Sequence, residues 1–242
     1  MKSLSVFLLI LQISCKDISV KPSANNENKN ASLEICKYTH LSDELRSPKT
    51  IRQAIDLINK LDKPVHLSCY IAALKRPLKV SLTSSRLSVQ PADGGDSPRI
   101  FIHNERLISS VVPSGSGADL LEFSELINNQ ESIKAELEFP IESEISYAKA
   151  FDRINIGGQT TCSACHNQER LAKDIKDYEA YISVAIRPTS KVTVTEFKTW
   201  YHSCELQQFR DERCDLIIAL FSNGELLDGA FPKEMPTFIE TL

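Results

Sequence analysis

The sequence predicts an α+β protein, with a β-rich region at residues 36–144 followed by a mainly helical region at residues 145–242. One amphipathic helix and a series of short strand-like runs separated by turn residues indicate the first region. Helical periodicity dominates the second region. We expect the first region to be an antiparallel sandwich or a small barrel, because such folds are built from many short strands.

The helix of the first region is predicted to begin just after Ser47-Pro48. Serine is a favourable N-cap and proline fits the first helical turn. Apolar residues then recur at helical spacing, at Ile51, Ala54, Ile55, Ile58 and Leu61. We expect this apolar stripe to pack on a sheet.

The strand-like runs of the first region are 65–72, 78–83, 87–89, 99–103, 107–112, 120–123 and 132–139. Turn-forming residues at 93–96 and 113–117 separate several of them. Residues 134–139 alternate between polar and apolar side chains. This alternation predicts a strand with one face in water.

In the second region, helical patterns cover 147–153, 162–173, 196–207 and 212–223, and Gly224 closes the last of them. Two runs, 181–186 and 191–194, are predicted to be extended. The change in composition near residue 145 is the reason for placing a domain boundary there.

The composition, 42% hydrophobic and 25% charged, is that of an ordinary globular protein. The chain has 28 Lys+Arg against 32 Asp+Glu, a formal net charge of −4, and no basic run. We therefore expect no nucleic-acid partner. The 7 cysteines indicate an oxidising, extracytoplasmic compartment.

Residues 1–14 have the form of a signal peptide, with one positive charge and then an apolar run too short to span a bilayer. Ser14-Cys15 resembles the lipobox of bacterial lipoproteins, in which the cysteine becomes the lipidated first residue. Gln12 stands where that motif usually has leucine, and Leu11 lies one place earlier. Lipidation of Cys15 is the prediction, and simple secretion is the alternative.

Residues 15–35 are rich in Asn, Ser and Lys and cannot bury enough apolar area to fold. We expect them to be a flexible tether between the lipid and the folded protein. The lipid would be the only membrane attachment, in the outer membrane or on the periplasmic side.

The strongest chemical signal is Cys162-Ser163-Ala164-Cys165-His166. The C-x-x-C-H pattern is typical of covalent haem attachment. Residues three apart share one face of a helix, so both thiols can bond to neighbouring vinyl groups on one haem edge. His166 then supplies a nitrogen for the iron. Gly157-Gly158 permits close backbone approach, and Thr160 or Thr161 can cap the helix.

Residues 147–166 resemble a c-type cytochrome, and the resemblance covers about 145 to 240. It implies one covalent haem c, with thioethers at Cys162 and Cys165 and with His166 as the proximal iron ligand. A later methionine is often the distal ligand in this family, and Met235, followed by Pro236, matches that position. The resemblance implies an electron carrier rather than an enzyme, with an unidentified redox protein as its partner.

The family usually continues from the distal methionine into a C-terminal helix, and we expect a variant that lacks it. Met235 could instead fill a gap in the core. The histidines that remain as alternative distal ligands are His202, His103, His66 and His40.

Once Cys15 is assigned to lipid and Cys162 and Cys165 to haem, four cysteines remain. Their spacing favours the disulfides Cys36–Cys69 and Cys204–Cys214. The alternative is four free, buried thiols.

Other interpretations of the motif stay open. Cys162, Cys165 and His166 could bind zinc with one further ligand, although no second closely spaced pair follows. A thioredoxin-like dithiol would need the motif to follow a strand. A haem protein with an open or labile distal site could bind or sense a small ligand, and the haem could also merely stabilise an adhesion or scaffold protein.

Overall fold

The computed structural model describes residues 36, 38–88, 90–93, 97–206, 212–221 and 223–238. The predicted signal peptide, Cys15 and the tether at 15–35 lie outside the described residues. Within the described part, the fold class is α+β, with five α-helices and one eight-stranded sheet.

The strands are β1 (Leu78–Thr83), β2 (Arg99–Asn104), β3 (Leu107–Val111), β4 (Leu120–Leu126), β5 (Glu131–Glu138), β6 (Arg170–Leu171), β7 (Tyr181–Val184) and β8 (Leu226–Asp228). Their order across the sheet is β6-β7-β5-β4-β3-β2-β1-β8. All neighbours are antiparallel except β1 and β8, which are parallel. The strands predicted from sequence at 78–83, 99–103, 107–112, 120–123 and 132–139 correspond to β1–β5.

The helices are α1 (Ile51–Lys60), α2 (Leu67–Ala73), α3 (Lys149–Asp152), α4 (Val194–Leu206) and α5 (Glu212–Phe221). None of the described helices is long and apolar enough to cross a membrane. The prediction of α1 is confirmed, and its apolar stripe is buried. Its N-cap is Thr50 rather than Ser47, because the Thr50 side chain accepts a hydrogen bond from the Gln53 backbone N–H.

The prediction of a sandwich or small barrel is wrong, because the strands form a single open, mixed sheet. The run at 65–72 was expected to be a strand, but most of it belongs to α2. Every residue of α2 is buried and most of them are apolar, so its sequence has no period that separates helix from strand. Residues 87 and 88 lie outside every strand.

Strands from both sides of residue 145 share the sheet, so the expected domain boundary does not coincide with a break in it. The main core likewise contains residues of both regions, such as Ile55 and Ile217. Both expected disulfides are present: Cys36–Cys69 ties the start of the described chain to α2, and Cys204–Cys214 joins α4 to α5.

The second region is less helical than predicted. The helix expected at 162–173 is replaced by a 3-10 turn at Thr161–Ala164, followed by β6. Gln168 has a φ of 56°, a left-handed conformation that an α-helix of L-residues cannot contain. Helices α4 and α5 lie where the patterns at 196–207 and 212–223 predict them, and the helix predicted at 147–153 is reduced to the short α3.

The two faces of the sheet differ. Residues paired directly across antiparallel strands share a face. The face that we call the helical face contributes to the main core with α1 and α2, through Val80, Ile102, Leu121, Phe123, Ile133, Ala135 and Leu137. The opposite face, which we call the motif face, carries Phe101, Ile108, Glu122, Ser124, Lys134, Glu136 and Ser183.

The face of β5 that was predicted to lie in water is covered. Lys134 and Glu136 are each only 8% exposed. The prediction of a wet face is therefore wrong at Lys134 and Glu136, whereas Glu138, at the end of β5, is exposed.

Candidate functional site

The C-x-x-C-H motif lies on and just after the 3-10 turn Thr161–Ala164. The Thr160 hydroxyl accepts a hydrogen bond from the Cys162 N–H at 3.2 Å, and the Cys162 carbonyl accepts one from the His166 N–H at 2.8 Å. In a 3-10 turn, side chains at i and i+3 lie above one another. Cys162 and Cys165 therefore share one side of the turn, as haem attachment requires, although the predicted α-helix is absent.

Glu169 fixes the start of this turn. One carboxylate oxygen accepts a hydrogen bond from the Thr160 hydroxyl at 2.6 Å, and the other accepts one from the Thr160 N–H at 2.6 Å. Thr160 is almost fully buried. The motif is therefore held from both ends, by Thr160 before it and by Glu169 after it.

Gly157 and Gly158 are the central pair of a tight turn that precedes the motif. Both have a φ of +81°, and the Ile156 N–H donates to the Gln159 carbonyl at 2.9 Å. A positive φ at both central residues favours glycine strongly. A Cβ at either position would meet nothing within 4 Å, so the pair serves the turn and leaves open space beside it.

The tautomer of His166 follows from its contact with the sheet. His166 Nδ1 lies 2.8 Å from the Val184 carbonyl oxygen, at the end of β7. A carbonyl oxygen can only accept, so Nδ1 carries the proton and the neutral ring has a lone pair on Nε2. Burial, with a smaller effect of the Lys134 charge, lowers the pKa of His166 to about 3. The ring is therefore neutral at physiological pH.

The two motif cysteines are free thiols, whereas the other four described cysteines form disulfides. Cys165 is exposed and Cys162 is half-buried. Burial raises the pKa of the Cys162 thiol above its ordinary value. Cys162 is therefore mainly protonated at neutral pH.

Lys134 on β5 is a buried cation, and its charge interacts with Cys162 of the motif. Its ammonium donates to the Ser132 hydroxyl at 2.5 Å and to the Ser124 hydroxyl at 3.1 Å. Burial lowers the pKa of Lys134 to about 8. No carboxylate of the described residues forms a salt bridge with this ammonium.

Further polar groups surround Lys134 on the motif face. Arg99 pairs with Glu122, and Arg153 pairs with Glu136 and Glu138. Ser183 lies opposite Ser132 in the β5–β7 register and is 1% exposed. Its hydroxyl has no hydrogen-bond partner among the described residues, which is uncommon for a buried polar atom.

Met235 also lies on the motif face. It is 2% exposed and packs in a small apolar cluster with Phe101, Ile108, Leu126 and Ala185. The segment after β7 links it to the motif. The Val184 carbonyl accepts from His166, and three residues later the Arg187 guanidinium donates to the Met235 carbonyl at 2.7 Å.

The other histidines differ in their surroundings. His103 is on the motif face and lies 2.9 Å from the Ser81 hydroxyl through Nε2. Burial lowers the pKa of His103 to about 4. His40, His66 and His202 are exposed, and His202 contacts Glu205.

Sequence reasoning missed the buried polar groups under the motif, chiefly Lys134 and Ser183. The signal was present in the alternation at 134–139, which was interpreted as a solvated face. Among the described residues, no group of three or more His, Cys, Asp and Glu side chains could hold a metal ion.

Comparisons with protein families, with curated proteins and with solved structures found no match for this chain.

Proposed function

We propose that the protein is an exported, monohaem c-type cytochrome that carries electrons. In this proposal Cys162 and Cys165 form thioethers with one haem c, and His166 is the proximal iron ligand. The observation that carries the proposal is the hydrogen bond from His166 Nδ1 to the Val184 carbonyl.

That hydrogen bond matters because metal-bound histidines almost always donate the other ring N–H to a carbonyl or carboxylate. The contact selects the tautomer and leaves the Nε2 lone pair available for iron. The low pKa of His166, about 3, also favours the neutral ligand form.

The state of the thiols supports covalent attachment over dithiol chemistry. A redox-active dithiol has a lowered cysteine pKa, because the thiolate is the nucleophile. Here burial raises the pKa of Cys162. The two thiols also stay unpaired in a chain whose other described cysteines form disulfides.

The polar atoms of the motif face would hold the anionic edge of the haem. Lys134 is a buried cation that forms no salt bridge among the described residues, and the Ser183 hydroxyl has no hydrogen-bond partner among them. Both fit the two carboxylates of a haem. When bound, the haem supplies a one-electron change at iron. The Cys162 side of the turn would fix its position, and the open space beside Gly157 leaves room for its edge.

We propose Met235 as the distal ligand, because Met235 and His166 lie on the same side of the sheet and both contact the segment 184–187. Methionine ligation would raise the reduction potential. The alternative, a haem with an open or labile distal site that binds or senses a small ligand, is favoured by the burial of Met235 among apolar side chains.

Export is part of the proposal. The Cys36–Cys69 and Cys204–Cys214 disulfides are compatible with an oxidising compartment. Lipidation of Cys15 would attach the protein to the outer membrane or leave it tethered in the periplasm. An extracytoplasmic redox protein is the expected partner.

The test is expression of the full chain in a periplasm equipped for cytochrome c maturation, followed by pyridine haemochrome and reduced-minus-oxidised spectra. The variants are His166→Ala, Met235→Leu and, as a matched histidine control, His202→Ala. Met235→Leu removes the sulfur and keeps most of the side-chain volume, so it separates ligation from packing.

We expect covalent haem in the wild type and in His202→Ala, with a sulfur-to-iron band that His202→Ala keeps and Met235→Leu loses. His166→Ala should lose the low-spin spectrum. A high-spin ferric haem in the wild type, unchanged in Met235→Leu, would select the open-site alternative. Absence of covalent haem from folded protein would overturn both.

A further inference from the structure

A cavity of about 250 Å³ lies on the other side of the sheet, on the helical face, between α2 and strands β2 and β3. Its polar lining consists mainly of Arg46, Tyr70, Lys75, Arg76, Asn104 and Ser109. Apolar side chains such as Leu74 and Ile102 form much of the remaining wall. None of the residues that line the cavity is acidic.

Two buried hydrogen-bond donors of this cavity lining have no acceptor among the described residues: the Tyr70 hydroxyl and Arg76 Nε. Tyr70 is fully buried, and its hydroxyl interacts with Ser109 without reaching hydrogen-bond geometry. A buried donor without a partner costs about 1–3 kcal/mol. Two such donors around one cavity indicate a missing acceptor.

Arg76 is held rigidly in place. Its two terminal nitrogens donate to four carbonyl oxygens, at residues 71, 74, 219 and 220. Gly224, with a φ of +132°, packs so closely that a Cβ there would lie 2.8 Å from the Arg76 side chain. These contacts leave Nε–H as the one guanidinium donor without an acceptor.

The charge of Arg76 is also uncompensated. No carboxylate of the described residues forms a salt bridge with it, whereas Asp43 pairs with both Lys75 and Arg46. Burial lowers the pKa of Arg76 to about 10, so it stays cationic at neutral pH. Buried charges are usually paired, so this one favours an anion from outside the chain.

We propose that this cavity binds a small organic carboxylate. Neither donor atom is accessible to water in this structure, so binding includes a small movement of the cavity wall. One carboxylate oxygen then accepts from the Tyr70 hydroxyl, the other accepts from Arg76 Nε–H, and a short hydrocarbon part contacts Leu74 and Ile102. The cavity is several times larger than the roughly 30 Å³ that one water occupies, so it has room for such a ligand. This binding is independent of the haem proposed for the motif face.

The experiment is calorimetric titration of the full chain with butyrate, and with butanol as the uncharged analogue of the same length. Inorganic phosphate tests whether any anion suffices. The variant is Tyr70→Phe, which removes only the hydroxyl, and the control is Tyr147→Phe, whose hydroxyl binds Asp56 away from the cavity. Thermal unfolding of each protein is recorded with and without butyrate.

We expect butyrate to bind and to raise the melting temperature, and butanol and phosphate to bind more weakly or not at all. Tyr70→Phe should weaken butyrate binding at least about tenfold, because a hydrogen bond to a charged group is lost. Tyr147→Phe should bind butyrate as the wild type does. Without butyrate, Tyr70→Phe should be at least as stable as the wild type, because its hydroxyl has no partner to lose.

Equal butyrate binding by Tyr70→Phe, or no binding by the wild type, would overturn the proposal. Equal binding of butanol would show that charge has no part in it. Preference for phosphate would overturn the carboxylate class. A lower melting temperature of Tyr70→Phe without butyrate would show that the hydroxyl already has a partner, such as water, and would count equally against the proposal.

Discussion

On the helical face, β5 contributes Ile133, Ala135 and Leu137 to the main apolar core. On the motif face, the same strand buries Ser132, Lys134 and Glu136. The two sets alternate along one strand and are equally hidden from water. They differ in chemistry, because one set is apolar and the other is polar or charged.

The two faces of β5 differ in what they contribute to stability. Apolar burial on the helical face drives folding. An ammonium that is buried with hydrogen bonds to two serine hydroxyls and without a salt bridge costs free energy that an apolar side chain would not. Local violations of this kind are expected at functional sites. Along β5 the buried charge lies on the same face as the motif turn.

The largest effect is expected on the helical face. Phe123 is 2% exposed and packs in the main core. Phe123→Ala should lower the free energy of unfolding by about 3–5 kcal/mol, because it removes apolar burial and leaves a cavity. Urea unfolding of the haem-free chain measures it. A loss below about 1 kcal/mol would contradict the assignment of this face as the main core.

On the motif face, Lys134→Met should leave the free energy of unfolding unchanged or raise it by about 1–4 kcal/mol, because it replaces a buried charge by an apolar side chain of similar length. Lys79 is an exposed lysine on β1, and Lys79→Met is the matched control, with a change within about 0.5 kcal/mol. Urea unfolding again gives the values. A loss as large as that of Phe123→Ala would show that the two faces do not differ as described.

Lys134 should also give the free energy of unfolding an unusual dependence on pH. Burial lowers the pKa of Lys134 from 10.5 to about 8 in the folded protein. Between these values the unfolded chain binds more protons than the folded one, so this group makes stability increase with pH, by at most about 1.4 kcal/mol per pH unit. The stability gained when Lys134 loses its proton is fully present above pH 10.5, the pKa of Lys134 in the unfolded chain. It is lost as the pH falls through about 8, the pKa of Lys134 in the folded protein.

Chemical unfolding of the haem-free chain between pH 7 and pH 10 measures this slope. Comparison with Lys134→Met isolates it, because the variant lacks the group and keeps all others. Identical slopes in the two proteins would show that burial does not lower the pKa of Lys134.

The smallest effect is expected at Gly157, in the tight turn that precedes the motif. Gly157→Ala should cost about 1–2 kcal/mol from backbone strain alone, because φ is +81° and a Cβ meets nothing within 4 Å. Gly157→Asn should cost less, since asparagine tolerates this conformation. Thermal unfolding compares the two variants. Equal losses would indicate a steric cause and would contradict the open space beside the motif.

Much of the fold could be predicted from sequence where period and burial agree. Helix α1 has one apolar stripe, and β1–β5 lie between clear turns, so their positions were found. Helix α2 could not be identified, because it is buried on all sides and its period carries no information. The number of layers was also missed, since local patterns do not reveal whether strands continue into one sheet or fold into two.

For the candidate site, the motif itself could be identified from Cys162, Cys165 and His166, because their spacing carries the chemistry. The turn that holds it could not, since it depends on the distant contacts of Thr160 with Glu169 and of His166 with Val184. Lys134 was predicted to be solvated because a polar side chain in an alternating strand usually is.

Covalent attachment of haem at Cys162 and Cys165 is tested by intact-mass spectrometry. The protein is purified after periplasmic expression with cytochrome c maturation, and Cys162→Ser/Cys165→Ser is the paired variant. We predict that the wild-type mass includes one covalently bound haem per chain and that the variant's mass includes none. A folded wild-type protein with both disulfides and no haem would contradict it.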